Sequence, residues 1–192
     1  MKEGADYEGV RVKIEARLGN IRKILSLDVG FGDMIYGGPE EYDFPVLLNF
    51  PVPRIKCYTY ESIIAEKFQA IVWLNFQTSR MKDFFDILFL ARVNRFQALR
   101  LLEAIATTFA ARDTGLSRKE AVFSDEFKND KSKQNQWTSF LRKHHLKEEP
   151  TFRKVIESLE GFLEPVLGKV LKEIENCIWD YDAWQWKISS SA

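Results

Sequence analysis

The stretch Val10-Arg11-Val12-Lys13-Ile14-Glu15-Ala16-Arg17-Leu18-Gly19-Asn20 decides the fold class from the chain's N-terminal end. Val10, Val12, Ile14, Ala16 and Leu18 alternate with Arg11, Lys13, Glu15 and Arg17, the period-two pattern of a half-exposed strand. Gly19-Asn20 is a two-residue turn able to take positive φ, so residues 21–31 are expected to return as the second strand of a hairpin. On that strand Leu25, Leu27, Val29 and Phe31 point one way, and Ile24, Ser26 and Asp28 the other.

Outward from the hairpin, Gly30, Gly32, Gly37, Gly38 and Pro39 break regular structure through residue 45. Short extended pieces are expected at Val46–Leu48 and Arg54–Tyr58, separated by Pro51 and Pro53. Thr59 is a credible N-cap, with Glu61 suited to the first helical turn. Helices are expected at about 60–76, 80–93 and 96–111, with Asp113-Thr114-Gly115 stopping the third. Residues 116–135 are polar and read as a connector. Helix returns at Trp137–His144 and at 151–176, interrupted by Gly161, Pro165 and Gly168. Strands first and helices after predict an α+β protein.

Composition bounds the function. A 45% apolar fraction, with fifteen Phe, five Trp and six Tyr, predicts a packed core within 192 residues. Lys plus Arg equals Asp plus Glu at 28 each, so no global field selects nucleic acid or membrane. No apolar run approaches the roughly 20 residues of a membrane span. The start, Met1-Lys2-Glu3-Gly4-Ala5-Asp6, lacks an apolar signal segment. Cys57 and Cys177 form no C-x-x-C pair and read as free thiols, so a cytoplasmic location is expected.

Charge in apolar surroundings marks the candidate chemistry. On a helical wheel for 63–75, Lys67 falls in the apolar arc between Leu74 and Ile71, with Glu66, Gln69 and Trp73 opposite. An ammonium there needs an anion or a path to the edge: a structural ion pair, a snorkelling side chain and a phosphate ligand all satisfy it. The segment 82–93 is apolar nearly all round, yet Asp83 and Asp86 share a face. They either pair with cations such as Lys67 or orient a ligand, with Arg80 and Lys82 beside them. Asp28, in the triplet Leu27-Asp28-Val29, is a third candidate, whereas Asp33 in its Gly-containing turn reads as a turn-stabilising residue. His144 and His145 are adjacent and lack ligand spacing. Lys128, Lys131, Lys133, Arg142, Lys143 and Lys147, interleaved with Trp137 and Phe140, either track a nucleic-acid backbone or form a solvated helix face. Gly30-Phe31-Gly32 does not open a helix and is not a dinucleotide fingerprint.

With these residues in view, the chain resembles the nucleotidyl transferase family of the AbiEii/AbiGii toxins, of type IV toxin–antitoxin and abortive-infection systems. The resemblance rests on Leu27-Asp28-Val29-Gly30-Phe31-Gly32-Asp33, on Ile64-Ala65-Glu66-Lys67-Phe68-Gln69-Ala70 and on Ser79-Arg80-Met81-Lys82-Asp83-Phe84-Phe85-Asp86-Ile87. Ala106-Thr107-Thr108-Phe109 through Gln136-Trp137-Thr138-Ser139-Phe140 resembles the family's helical C-terminal half. The resemblance implies part of a polymerase-β-like nucleotidyltransferase core over residues 1–113, then a helical portion over 114–192. It implies Asp28 as a metal-binding acid for Mg²⁺, and Asp28, Lys67, Asp83 and Asp86 as the catalytic set. Lys67, Arg80 and Lys82 would meet the phosphates of an NTP, and the acceptor would be RNA, notably tRNA. A cognate antitoxin is an expected partner and a membrane is not.

The chain departs from that pattern in having no Gly-Ser loop with an Asp-x-Asp pair on its early strands; Asp6 and Glu8 have no such loop before them. The expectation is therefore an N-terminally truncated member that transfers poorly by itself. The alternatives are a non-catalytic module binding a partner protein such as an antitoxin, and an RNA-binding helical module built on residues 128–147.

Overall fold

The structure, a computed structural model, describes residues 9–31, 35–147, 149–168, 171 and 173–189. The chain divides into two compact units, residues 1–34 and 35–192. The expected α+β class holds, and an N-terminal hairpin, short antiparallel strand pairs and a helical C-terminal part are consistent with a nucleotidyltransferase-like fold.

In the first unit, β1 (Gly9–Leu18) pairs antiparallel with β2 (Ile21–Gly30). Gly19, at φ +57°, takes the left-handed turn geometry that the two-residue connection demands. The register sets Val12 against Leu27, Ile14 against Leu25 and Leu18 against Ile21, which collects the apolar residues on one face. Arg11 against Asp28 and Lys13 against Ser26 occupy the other. Both faces are open. On the apolar face Val29 is half-buried and the exposed positions run from 40% at Val12 to 79% at Leu18, so the expected half-exposed strand is largely open on both sides.

In the second unit, β3 (Glu40–Asp43) pairs with β4 (Arg54–Cys57). The expected strand at Val46–Leu48 is instead part of the loop joining them, closed by the Phe44 N–H donating to the Pro53 carbonyl at 2.9 Å. Prolines at 45, 51 and 53 withhold ladder donors there, and the charged β3 pairs in its place. Thr59 caps α1 (Tyr60–Leu74), its hydroxyl accepting from the Ser62 N–H at 3.2 Å. Then come α2 (Met81–Val93) and α3 (Ala98–Ala111), close to the expected ranges.

The stretch expected to be a connector is helical. It holds α4 (Lys119–Phe123), α5 (Asp125–Lys128) and the start of α6 (Lys131–Lys143). Val122, Phe123 and Phe127 bury into the core and supply the anchoring that polar neighbours conceal in sequence. Ser124 and Asp130 cap α5 and α6. Next, α7 (Phe152–Leu167) runs through Gly161 and Pro165 and stops at Gly168. Eight apolar residues of α7 are buried, from Phe152 to Leu167, and that packing outweighs the two poor helix formers.

The segment after Gly168, expected as continuing helix to 176, closes with a hairpin of β5 (Cys177–Asp180) and β6 (Gln185–Ile188). The Trp179 N–H donates to the Phe96 carbonyl, and its indole donates at 2.7 Å to the Ala91 carbonyl near the end of α2. That carbonyl lies in the last turn of α2, where intrahelical donors run out. Phe162 packs edge-on against Trp179 and stacks on Trp186. One apolar cluster runs from Ile64 to Trp179 and positions the α1 and α2 faces described next.

Candidate nucleotide site

Lys67 projects from α1 toward the first turns of α2. Its Nζ lies 3.0 Å from Asp83 Oδ1 and 2.6 Å from Asp86 Oδ2. The lysine side chain is 22% exposed, and those of Asp83 and Asp86 are 9% and 19% exposed. The wheel's demand for an anion is met by the two carboxylates three residues apart on α2. Arg80 Nε stands 2.8 Å from Asp83 Oδ2 and Lys82 Nζ 2.6 Å from Asp86 Oδ2. The sequence candidates Lys67, Arg80, Lys82, Asp83 and Asp86 thus form one network. Three cations against two carboxylates leave it one net positive charge.

Burial alone depresses Lys67, but hydrogen bonds to Asp86 and Asp83 outweigh it and hold the ammonium above the ordinary lysine value. Lys67 is therefore a permanent cation at neutral pH. Two carboxylates take two of its three N–H donors. Lys67 and Asp83 line a cleft of about 270 Å³ together with Tyr58, Glu66, Arg80 and Arg112.

Glu66 and Arg112 are members of that cleft that sequence reasoning missed. Glu66 pairs with the Arg112 guanidinium, which also donates to Gln69 Oε1 at 3.5 Å. Gln69 in turn donates to Thr114 Oγ1 at 2.8 Å, tying α1 to the end of α3. The pairing spans 46 residues of chain, and no local spacing announces it.

Asp28 lies in the hairpin unit, on its polar face. Its two oxygens accept from Arg11 Nε and Nη2 at 2.5 and 2.9 Å. The bidentate bond holds Asp28 below its ordinary value, although the pair is open to solvent. Asp33, Asp6, Glu8 and Gly32 lie outside the described residues.

Magnesium asks for an octahedron of oxygens and usually one or two free carboxylates. As arranged, Asp28 gives both oxygens to Arg11, and Asp83 and Asp86 are engaged by three cations. Among the described residues no group of three or more His, Cys, Asp or Glu side chains is placed to hold a metal ion. These residues in this arrangement do not fit the ion.

An acid pair spaced as Asp-x-Asp does occur late in the chain, at Asp180 and Asp182. It sits at the β5–β6 turn, where Asp180 accepts from the N–H groups of Asp182 and Ala183 and pairs with Lys187 at 2.5 Å. That pair is turn chemistry. His144 rests on Phe140, ring centroids 4.8 Å apart, at the end of α6. The basic run is sorted by the fold: Lys128 pairs with Glu160 at 2.7 Å, and Lys133 donates to the carbonyls of Phe76 and Thr78 at 2.8 and 2.5 Å. Neither Cys57 nor Cys177 is joined in a disulfide. Among the described residues no helix is long and apolar enough to cross a membrane.

No curated protein and no solved structure gives a significant match to the chain. One family model does, that of the nucleotidyl transferase AbiEii toxin of type IV toxin–antitoxin systems, over residues 1–164. It spans both the hairpin and the Lys67–Asp86 network, and the chain belongs to that nucleotidyltransferase toxin family.

Proposed function

We propose that the chain contributes the phosphate-facing wall of a site that transfers a nucleotide from an NTP to RNA, with tRNA as the favoured acceptor, in the cytoplasm. The observation carrying this reading is the net-positive Lys67–Asp83–Asp86–Arg80–Lys82 network, of which Lys67, Arg80 and Asp83 line a cleft, in a chain of nucleotidyltransferase family. In such a transfer an acceptor hydroxyl oxygen bonds to the α-phosphorus, its proton is released, and pyrophosphate leaves. A cation fixed by two carboxylates is oriented in advance toward the phosphates, so no reorganisation is needed as charge builds. Lys67, held protonated, serves as donor and not as base. Family members generally use a divalent metal, and with both Asp28 oxygens held by Arg11 the residues here supply no ligand set for one. The reading also calls for a Gly-Ser loop and an Asp-x-Asp pair, which β1 and β2 do not carry.

The test incubates this chain, and a version extended upstream, with labelled NTPs, Mg²⁺ and tRNA. Transfer by the extended version that Lys67→Met and Asp83→Asn abolish supports the reading. Absence of transfer across several RNAs and all four NTPs overturns it.

The open apolar face of β1–β2 favours a second reading, a module that binds a partner protein such as an antitoxin through that face. Co-purification with the product of the adjacent gene, lost on changing Ile14 and Leu25 to threonine, supports it. Unaltered co-purification removes it.

A further inference from the structure

A second and larger cleft, about 760 Å³, opens between the start of α2 and one face of α6. Arg80 and Lys82 line it from α2; Gln136, Ser139, Phe140 and Lys143 line it from α6. No Asp or Glu lines it, in a chain whose charges otherwise balance. The fold produces this segregation. Lys128 and Lys133 of the basic run are spent on Glu160 and on backbone carbonyls, whereas the Lys143 side chain makes no ion pair or hydrogen bond among the described residues. Arg80 and Lys82 keep 56% and 69% of their side-chain surface in solvent despite pairing with Asp83 and Asp86.

An aromatic wall completes the cleft. Phe140 is backed by Trp137 at 5.5 Å and by His144 at 4.8 Å, so its ring is held in place. Cations spaced around a fixed ring are the pattern that holds phosphodiesters and stacks an unpaired base. A duplex keeps its base faces stacked and does not present one to such a ring. Arg80 also lines the Lys67 cleft, so a strand held between α2 and α6 ends beside the nucleotide site.

We infer that the α2–α6 cleft is the acceptor subsite, gripping the single-stranded end of an RNA through its phosphates and one stacked base. The inference rests on the transferase reading above and adds to it the place where the acceptor lies. The phosphates of an NTP share this chemistry, and the two sources separate experimentally.

The test measures fluorescence anisotropy of a labelled eight-nucleotide single-stranded RNA, the same sequence as a blunt duplex, and a fluorescent ATP analogue, on the full chain. Lys143→Ala should weaken single-strand binding about five- to tenfold at low salt and reduce the log–log salt slope by about 0.7, the share of one phosphate contact. Phe140→Leu should weaken the single strand and leave the weaker duplex binding unchanged. Lys131→Ala, on the same helix but outside the cleft, should stay within twofold. Thermal midpoints confirm folding, and a variant that fails to fold is replaced by Ser139→Arg, which should strengthen single-strand binding. Three outcomes overturn the inference: no salt-dependent single-strand binding by the parent chain, equal losses from Lys131→Ala and Lys143→Ala, or a Lys143→Ala defect confined to the ATP analogue. Absence of transfer alongside Lys143-dependent RNA binding sinks the transferase reading and leaves the cleft as an RNA site. Transfer by an extended chain with unchanged RNA affinity in Lys143→Ala does the reverse.

Discussion

Lys67→Met isolates the electrostatic centre of the second unit. Methionine keeps most of the buried apolar stem and deletes the ammonium. Lost with it are two charge-assisted hydrogen bonds, at 3.0 and 2.6 Å, each worth about 1.5–3 kcal/mol net. Two offsets apply. Asp83 keeps Arg80 and Asp86 keeps Lys82, and the cluster is only partly buried, which places it between the roughly 3–5 kcal/mol of a broken buried pair and the ~1 kcal/mol ceiling of an exposed one. The expected loss is about 2–3 kcal/mol at pH 7, measured by urea unfolding, against a typical domain stability of about 5–15 kcal/mol. A double-mutant cycle with Asp83→Asn should recover about 1 kcal/mol or more as coupling.

The pH dependence carries its own sign. Lys67 binds its proton more tightly folded than unfolded, so its contribution is complete below the ordinary lysine value. It is lost as pH rises through the raised folded value. The parent should weaken over that alkaline window and Lys67→Met should not. A loss below about 0.5 kcal/mol at pH 7 with parallel pH profiles would refute the network and leave Lys67 as a snorkelling side chain.

Trp179→Phe should cost about 2 kcal/mol, because it strands the Ala91 carbonyl and opens space beside Phe162; chemical denaturation showing under 0.5 kcal/mol would mean the β5–β6 hairpin is not locked to α2. Burial lowers Lys133, with Asp130 opposing weakly, so the unfolded chain holds that proton more tightly and stability should rise with pH between the lowered value and the ordinary lysine value. Lys133→Met should lose about 1 kcal/mol at pH 7, from two carbonyls left without a donor, and should lack that rise when urea midpoints are followed from pH 7 to 10. Ile14 and Leu25 oppose each other in register at 48% and 49% exposure, so their joint change to threonine should shift stability by under about 0.5 kcal/mol and reduce self-association in light scattering; a 2 kcal/mol loss would show the face covered in the folded chain.

The legible parts of the fold were those specified by short-range chemistry. Alternation over residues 10–18 and the Gly19-Asn20 turn wrote the first hairpin, and Thr59 wrote the start of α1. The failures share a cause. In α4 and α5 the anchoring residues Val122, Phe123 and Phe127 are too few to show periodicity among charges, and only contact with the core makes the segment helical. Pro165 and Gly161 argue against helix locally, and the buried stripe of α7 overrides them. The short β5 and β6 strands are defined by Trp179 docking on Phe96 and Ala91, more than 80 residues away in sequence.

At the site, sequence by itself determined that Lys67, Asp83 and Asp86 lie on apolar helix faces and must find partners, because helical periodicity is local and burying an unpaired charge is costly. It also carried the family resemblance that the comparison upheld. Tertiary structure alone decided that these charges answer one another, that Arg112 answers Glu66, and that Lys133 and Lys128 are taken up internally while Lys143 stays open to a cleft. Those pairings join residues 16 to 57 positions apart. Such distances are closed by packing, and packing is not written in the spacing of any one segment.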